Sequence, residues 1–255
     1  MINYEPLSTI ISASGLRLIL VEGYPSPWGH AVKAMMEYKG LIYRTGAQKA
    51  GEDNVELSNW SGVNSGPIVA WDSGAPLNRW NDILFLLERL TPERNLVPKD
   101  GSLRVQCMGL SHEICGEIGL GWNRRLSMFR PIVESNERPD GFVNMANKWG
   151  YNQSDVEMAE KRSVIILRTL AEQLKLQKTR NSGFFLGESV TAVDFYWAAF
   201  SNLCELMPQS RCPISPERRP LFENVSEAIK QELDPILMEH RDRIMDDYFV
   251  VPMDL

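Results

Sequence analysis

The sequence has no CxxC pair; its four cysteines, Cys107, Cys115, Cys204 and Cys212, stand apart. A dithiol-exchange motif is therefore excluded, and the cysteines are expected to be buried or half-buried thiols of a reducing compartment. No apolar run approaches the roughly 20 residues that span a bilayer. The first 14 residues lack the basic leader of a signal peptide, so no membrane association and a cytoplasmic location are expected. Basic residues never gather beyond the pairs Arg124-Arg125 and Arg218-Arg219, and the net charge is −6. Non-specific nucleic-acid binding needs clustered Lys and Arg, so no nucleic-acid partner is expected. No internal repeat or low-complexity stretch appears. Histidine is scarce, with three in the chain. The grouping His112, Glu113 and Cys115 is too thin a ligand set to predict a metal.

What is present is a chain of 255 residues, 44% apolar and 24% charged, enough for one large domain or two ordinary ones. Residues 16–23 form a short apolar run closed by Gly23, the pattern of a buried strand. Tyr24 to His30 reads as a tight loop. Ala31, Ala34, Met35 and Tyr38 then fall on one helical face, which Lys39-Gly40 closes. Residues 41–45 read as a second strand, completing a β-α-β unit with parallel strands. Residues 46–65 are polar, with room for a short helix. Residues 66–71 read as a strand opened by Pro67, followed by a short strand at Pro76-Leu77. Ile83, Leu84, Leu86, Leu87 and Leu90 make the stripe of a further helix.

Residues 91–102 hold two prolines and a glycine and mark the domain boundary. Beyond them the pattern is helix or loop only, at about 101–130, 153–178, 191–206 and 217–248. The predicted organisation is an N-terminal extension of 1–15, an α/β domain of 16–90, a linker of 91–102 and an all-α domain of 103–255.

Three segments carry a resemblance. Ser26-Pro27-Trp28-Gly29-His30 opens a helix after the first strand, Gly66-Pro67-Ile68-Val69 opens the third strand, and Gly187 to Asp194 precedes a helix. In the last, Thr191 and Asp194 have the spacing of a capping box. In this order the chain resembles the cytosolic glutathione transferases, over roughly residues 16–205. The resemblance implies a thioredoxin-like domain followed by a helical bundle domain, a homodimer, and glutathione as co-substrate for attack on a small electrophile.

Carried over residue by residue, the resemblance implies that Ser26 donates to the glutathione thiol, with Tyr24 as the runner-up. An ordinary N-cap remains the other reading of Ser26. Gly66, before a cis-Pro67 and followed by Ile68, would meet the cysteinyl backbone. Arg79, Trp80 and Asn81 stand where an acid and a serine usually hold the γ-glutamyl end. Either Arg79 takes the ligand's carboxylate, or the glutathione site is altered or lost. Trp28, Trp122 and Arg125 are candidates for the co-substrate pocket. The other reading of Trp122 and Arg125 is a helix end favoured by the macrodipole. His30 reads as a surface or cap residue. Two functions stay open: a glutathione-dependent transferase, or a non-catalytic module of the same fold that binds a ligand or protein.

Overall fold

The computed structural model describes residues 2–136 and 140–255. Two compact units emerge: Met1–Leu96 with Pro208–Ser215 and Met245–Leu255, and Val97–Met207 with Pro216–Ile244. The two short late segments, expected in the helical part, cluster with the first unit.

The first unit contains α1 (Leu7–Ser12), β1 (Leu16–Val21), α2 (Pro27–Tyr38), β2 (Tyr43–Gln48), α3 (Val55–Ser61), β3 (Ile68–Trp71) and α4 (Trp80–Leu90). The sheet order is β2-β1-β3. β1 is parallel to β2, from Leu16 opposite Tyr43 to Val21 opposite Gln48. β3 is antiparallel to β1, with Leu16 opposite Trp71 and Ile19 opposite Ile68. Single bridges widen both edges: Glu5 pairs Gly46, and Leu77 pairs Val69. The N-terminal extension is thus a bridge and a helix that lead into β1.

As the central strand, β1 is buried from Leu16 to Leu20, as a near-continuous apolar run requires. Arg17 interrupts that run and is only 3% exposed. Its guanidinium bonds the carbonyls of Ile11 and Asp72 and lies 5.5 Å from the Trp60 ring. Ile10, Ile19, Leu57 and Ile68 form the core on the face covered by α1 and α3. The opposite face, with Leu20, receives α2. A Cβ on Gly29 would stand 2.8 Å from Leu20 Cδ2, so glycine permits this approach.

α2 begins at Pro27, earlier than the apolar stripe indicates. Proline suits the first helical position, because that N–H has no intrahelical partner. Trp28, Gly29 and His30 are therefore helical and not loop. Gly40, at φ +68, closes the helix.

The second unit is helical among its described residues: α5 (Gly101–Cys115), α6 (Leu120–Val133), α7 (Asp140–Lys148), α8 (Gln153–Lys178), α9 (Ala192–Phe200), α10 (Arg219–Glu223), α11 (Glu227–Gln231) and α12 (Pro235–Tyr248), the last running into the Met245–Leu255 segment. The single helix expected at 101–130 is two. Gly116 and Gly119 bracket a turn so tight that a Cβ at either would meet His112 within 3 Å. Asp100 and Asn152 cap α5 and α8 by accepting the N–H of Leu103 and of Asp155, each at 2.9 Å. α9 is buried along its whole length, which marks it as the core helix of this unit.

Candidate functional site

Ser26 occupies the N-cap of α2 with extended backbone, φ −64 and ψ 112, yet its side chain makes no capping bond. Its N–H donates to Tyr24 O at 2.8 Å, and its carbonyl accepts the His30 N–H at 3.0 Å. The capping interpretation therefore holds for the backbone only. Ser26 lines a cleft with Tyr24, Val21, His30, Tyr4 and Asp254 that is too tight for a water molecule.

His30 corrects the expectation of a surface or cap residue: it is 8% exposed and lies inside α2, whose N-cap is Ser26. Burial pushes its imidazole down to about 4, against a hydrogen bond with the Tyr24 backbone that works the other way. It is therefore a neutral ring at neutral pH, and it ties the Tyr24–Ser26 loop to α2. Tyr4 is pushed up to about 12, by burial first and then by Glu22 and Asp254.

Ser26, His30, Lys33 and Glu37 step along one face of α2 at helical spacing. Lys33 Nζ stands 2.7 Å from Glu37 and 3.5 Å from Asp254. Glu37 also accepts from Tyr43 Oη at 3.2 Å. Tyr4, His30, Lys33 and Asp254 were not among the sequence candidates. The 4-3-4 spacing of polar residues on α2 was visible in the sequence, but placing it needs the helix start at Pro27.

The Gly66–Pro67 peptide bond is cis. Gly66 packs so closely on β1 that a Cβ would lie 3.1 Å from Ile19 O and 3.5 Å from Val21 N. Val21 also lines the cleft of Tyr24 and Ser26, so the end of β1 joins these two sequence candidates to Gly66. The Gly66 N–H, however, donates to Gln48 Oε1 at 3.1 Å. A ligand that used this N–H would have to displace the Gln48 amide. The side chain of Ile68 belongs to the core of α1 and α3 and not to the cleft.

Arg79 is exposed at the N-cap of α4, its carbonyl accepting the Ile83 N–H at 3.0 Å. Trp80 and Asn81 form the first turn and are half-buried, as is Trp28 on α2. An exposed guanidinium beside a helix N-terminus concentrates positive potential suited to a carboxylate.

In the second unit, Trp122 and Arg125 lie near the N-terminal end of α6 and not at its C-terminal end, so the macrodipole does not explain the cations. Arg124 is 1% exposed and donates to Leu203 O at 2.8 Å and Asn224 O at 3.1 Å. Arg125 is held between two indoles, its Cζ 5.0 Å from the Trp122 ring and 4.9 Å from the Trp149 ring. Burial lowers its guanidinium to about 10, which still leaves a cation at neutral pH. Such a stack is a packing unit as much as a binding surface.

Among the described residues, no helix is long and apolar enough to cross a membrane. All four cysteines are buried, and none of them is in a disulfide.

No family model and no curated protein matches the chain. Solved structures do. A glutathione S-transferase from Methylobacterium radiotolerans, in complex with glutathione sulfonate, aligns with TM-score 0.60 and 16% identity, over 92% of each chain. One from Methylobacillus flagellatus with glutathione bound aligns with TM-score 0.59 and 14% identity, over 91% of this chain and 95% of that one. A rice glutathione transferase in complex with glutathione gives TM-score 0.59 and 17% identity, over 94% of each chain. The chain therefore has the glutathione transferase fold, a thioredoxin-like unit and a helical unit.

Proposed function

We propose that the protein is a glutathione-dependent transferase in which Ser26 activates the thiol. The observation that carries this reading is the uncommitted hydroxyl of Ser26 at the start of α2. A free thiol has a pKa of about 8.5. Lowering it by two units takes about 2.7 kcal/mol of preferential thiolate stabilisation. One hydroxyl donor to an anion and the positive end of a helix together supply about that much. The thiol proton leaves to solvent. The thiolate then forms a sulfur–carbon bond with a small electrophile, whose leaving group departs with the bonding pair. Gly66 and Pro67 would carry the cysteinyl backbone, and Tyr24 and Trp28 would wall the approach. Arg79 takes the γ-glutamyl carboxylate, with Trp80 and Asn81 shaping that end. Glutathione bound on the same fold in the bacterial and rice proteins supports the choice of co-substrate. A cytoplasmic homodimer is part of the same reading.

A second reading is a non-catalytic binding module. Two observations favour it: Gln48 already occupies the Gly66 N–H, and the cleft beside Ser26 has no room for a water. Calorimetric titration with reduced glutathione separates the two. Binding in the micromolar to low-millimolar range, weakened about tenfold by Arg79→Ala, is expected for the transferase. No heat and no thermal shift at high-millimolar glutathione would leave the binding module.

A further inference from the structure

The second unit holds a buried Asp–His pair that the proposed chemistry does not use. Asp194 is fully buried, and its carboxylate is acceptor to four donors. Oδ1 takes the Phe185 N–H at 3.0 Å and His240 Nε2 at 2.8 Å. Oδ2 takes the Thr191 N–H at 2.7 Å and the Thr191 hydroxyl at 2.9 Å. With every bond directed into the carboxylate, His240 Nε2 carries the proton of that contact. The Phe185 ring, 4.7 Å away and edge-on, fixes the plane of the imidazole.

The other nitrogen, Nδ1, is buried with no hydrogen-bond partner, and His240 is 4% exposed. A buried polar atom in a native fold is normally bonded, so one left over calls for a donor that the chain does not supply. His240 is part of the wall of a cleft of about 260 Å³ between the end of α8 and α12. At about 30 Å³ per water molecule, that is the room of a molecule of one ring or a short branched chain. Leu174 and Ile236 give the cleft apolar wall, and Lys178, Arg243 and Glu239 line it with two positive charges and one negative. Arg243 is held in place over the Phe184 ring, 4.9 Å away, and by its bond to the Gly183 carbonyl.

We propose that this cleft binds a small hydroxylated carboxylic acid. Its hydroxyl donates to His240 Nδ1, its carboxylate meets Lys178 and Arg243, and its apolar body lies on Leu174 and Ile236. This site is independent of Ser26 and does not rest on the transferase reading.

The test is a titration of the full chain, labelled with ¹⁵N-histidine, with salicylate and with 4-hydroxybenzoate. Benzoate is the control that lacks the hydroxyl. Saturable movement of the His240 Nδ1 resonance is expected with at least one of the two hydroxy acids. That acid should bind about tenfold tighter than benzoate, the worth of one hydrogen bond to a buried acceptor. Lys178→Glu, on an exposed side chain, should weaken it by a similar factor without changing the unfolding temperature. Ser26→Ala should leave it unchanged. No saturation with either acid means that a buried water alone satisfies Nδ1, and overturns the proposal. Equal affinity for benzoate, or indifference to Lys178→Glu, overturns it as well.

Discussion

Two N-cap hydroxyls of this protein, Thr191 at α9 and Ser26 at α2, are used in opposite ways. At α9, Thr191 and Asp194 form a complete capping box, and Asp194 also takes Phe185 and His240. At α2, the backbone of Ser26 is in place but its hydroxyl caps nothing. A helix start buried in the middle of a unit must satisfy its donors within the chain, because an unmet buried donor costs about 1–3 kcal/mol. A helix start at the end of a strand, beside a proline, has one donor fewer to satisfy and can leave its hydroxyl for other work. The contrast is that the same local signal is spent on the helix start at α9 and left unspent at α2.

The largest test of the contrast is Asp194→Ala. It strands two backbone or hydroxyl donors of Thr191, the Phe185 N–H and His240 in the core. A loss of about 3–5 kcal/mol is expected, or an unfolding midpoint lower by roughly 10 °C or more, read by calorimetry. A midpoint within two or three degrees of wild type would mean that the box is dispensable and the comparison wrong.

Next is the acid side of the first unit. His30 is held down to about 4, below its ordinary 6.5. The unfolded chain therefore binds the proton that the folded one refuses. The contribution is full above pH 6.5 and is lost as pH falls through 4, to about 3 kcal/mol. Urea unfolding at steps of pH between 7 and 4 should show this slope, and His30→Gln should flatten it. An unchanged slope in the variant would assign the acid sensitivity to other groups.

Ser26→Ala should cost less than about 0.5 kcal/mol of stability, since no capping bond is lost. Turnover of a glutathione-dependent reaction should still fall by tenfold or more, about 1.4 kcal/mol in the barrier. If stability falls and turnover does not, Ser26 is a cap like Thr191.

The smallest effect is expected from Gln48→Ala, which releases the Gly66 N–H for a ligand. Glutathione should bind a few-fold tighter, about 0.5–1 kcal/mol. Weaker binding would show instead that Gln48 holds Gly66 in its working position.

Much of the fold was legible because it rests on short-range signals. The apolar run at 16–23, the helix over 153–178 and the Thr191–Asp194 box all depend on residues within a few positions of one another. The break at Gly116–Gly119 was missed because an isolated glycine does not by itself end a helical stretch, and only the turn geometry shows the interruption. At α2, the apolar stripe begins at Ala31, whereas the hydrogen bonds begin at Pro27.

The candidate site was legible only in part. Ser26, Tyr24 and Gly66 were found from motifs and do lie around one strand end. His30, in the same helix, read as a surface or cap residue until chain from both ends of the sequence covered it. Local order was thus determined by the sequence itself: which segments are helix or strand, in what succession, and where a helix can be capped. Tertiary structure decided which polar groups share a cleft: Tyr4 and Asp254 with Ser26, Gln48 with Gly66, His240 with Asp194. The reason is physical. Backbone periodicity is set by neighbours within four residues, whereas desolvation and long-range hydrogen bonds exist only once distant segments pack.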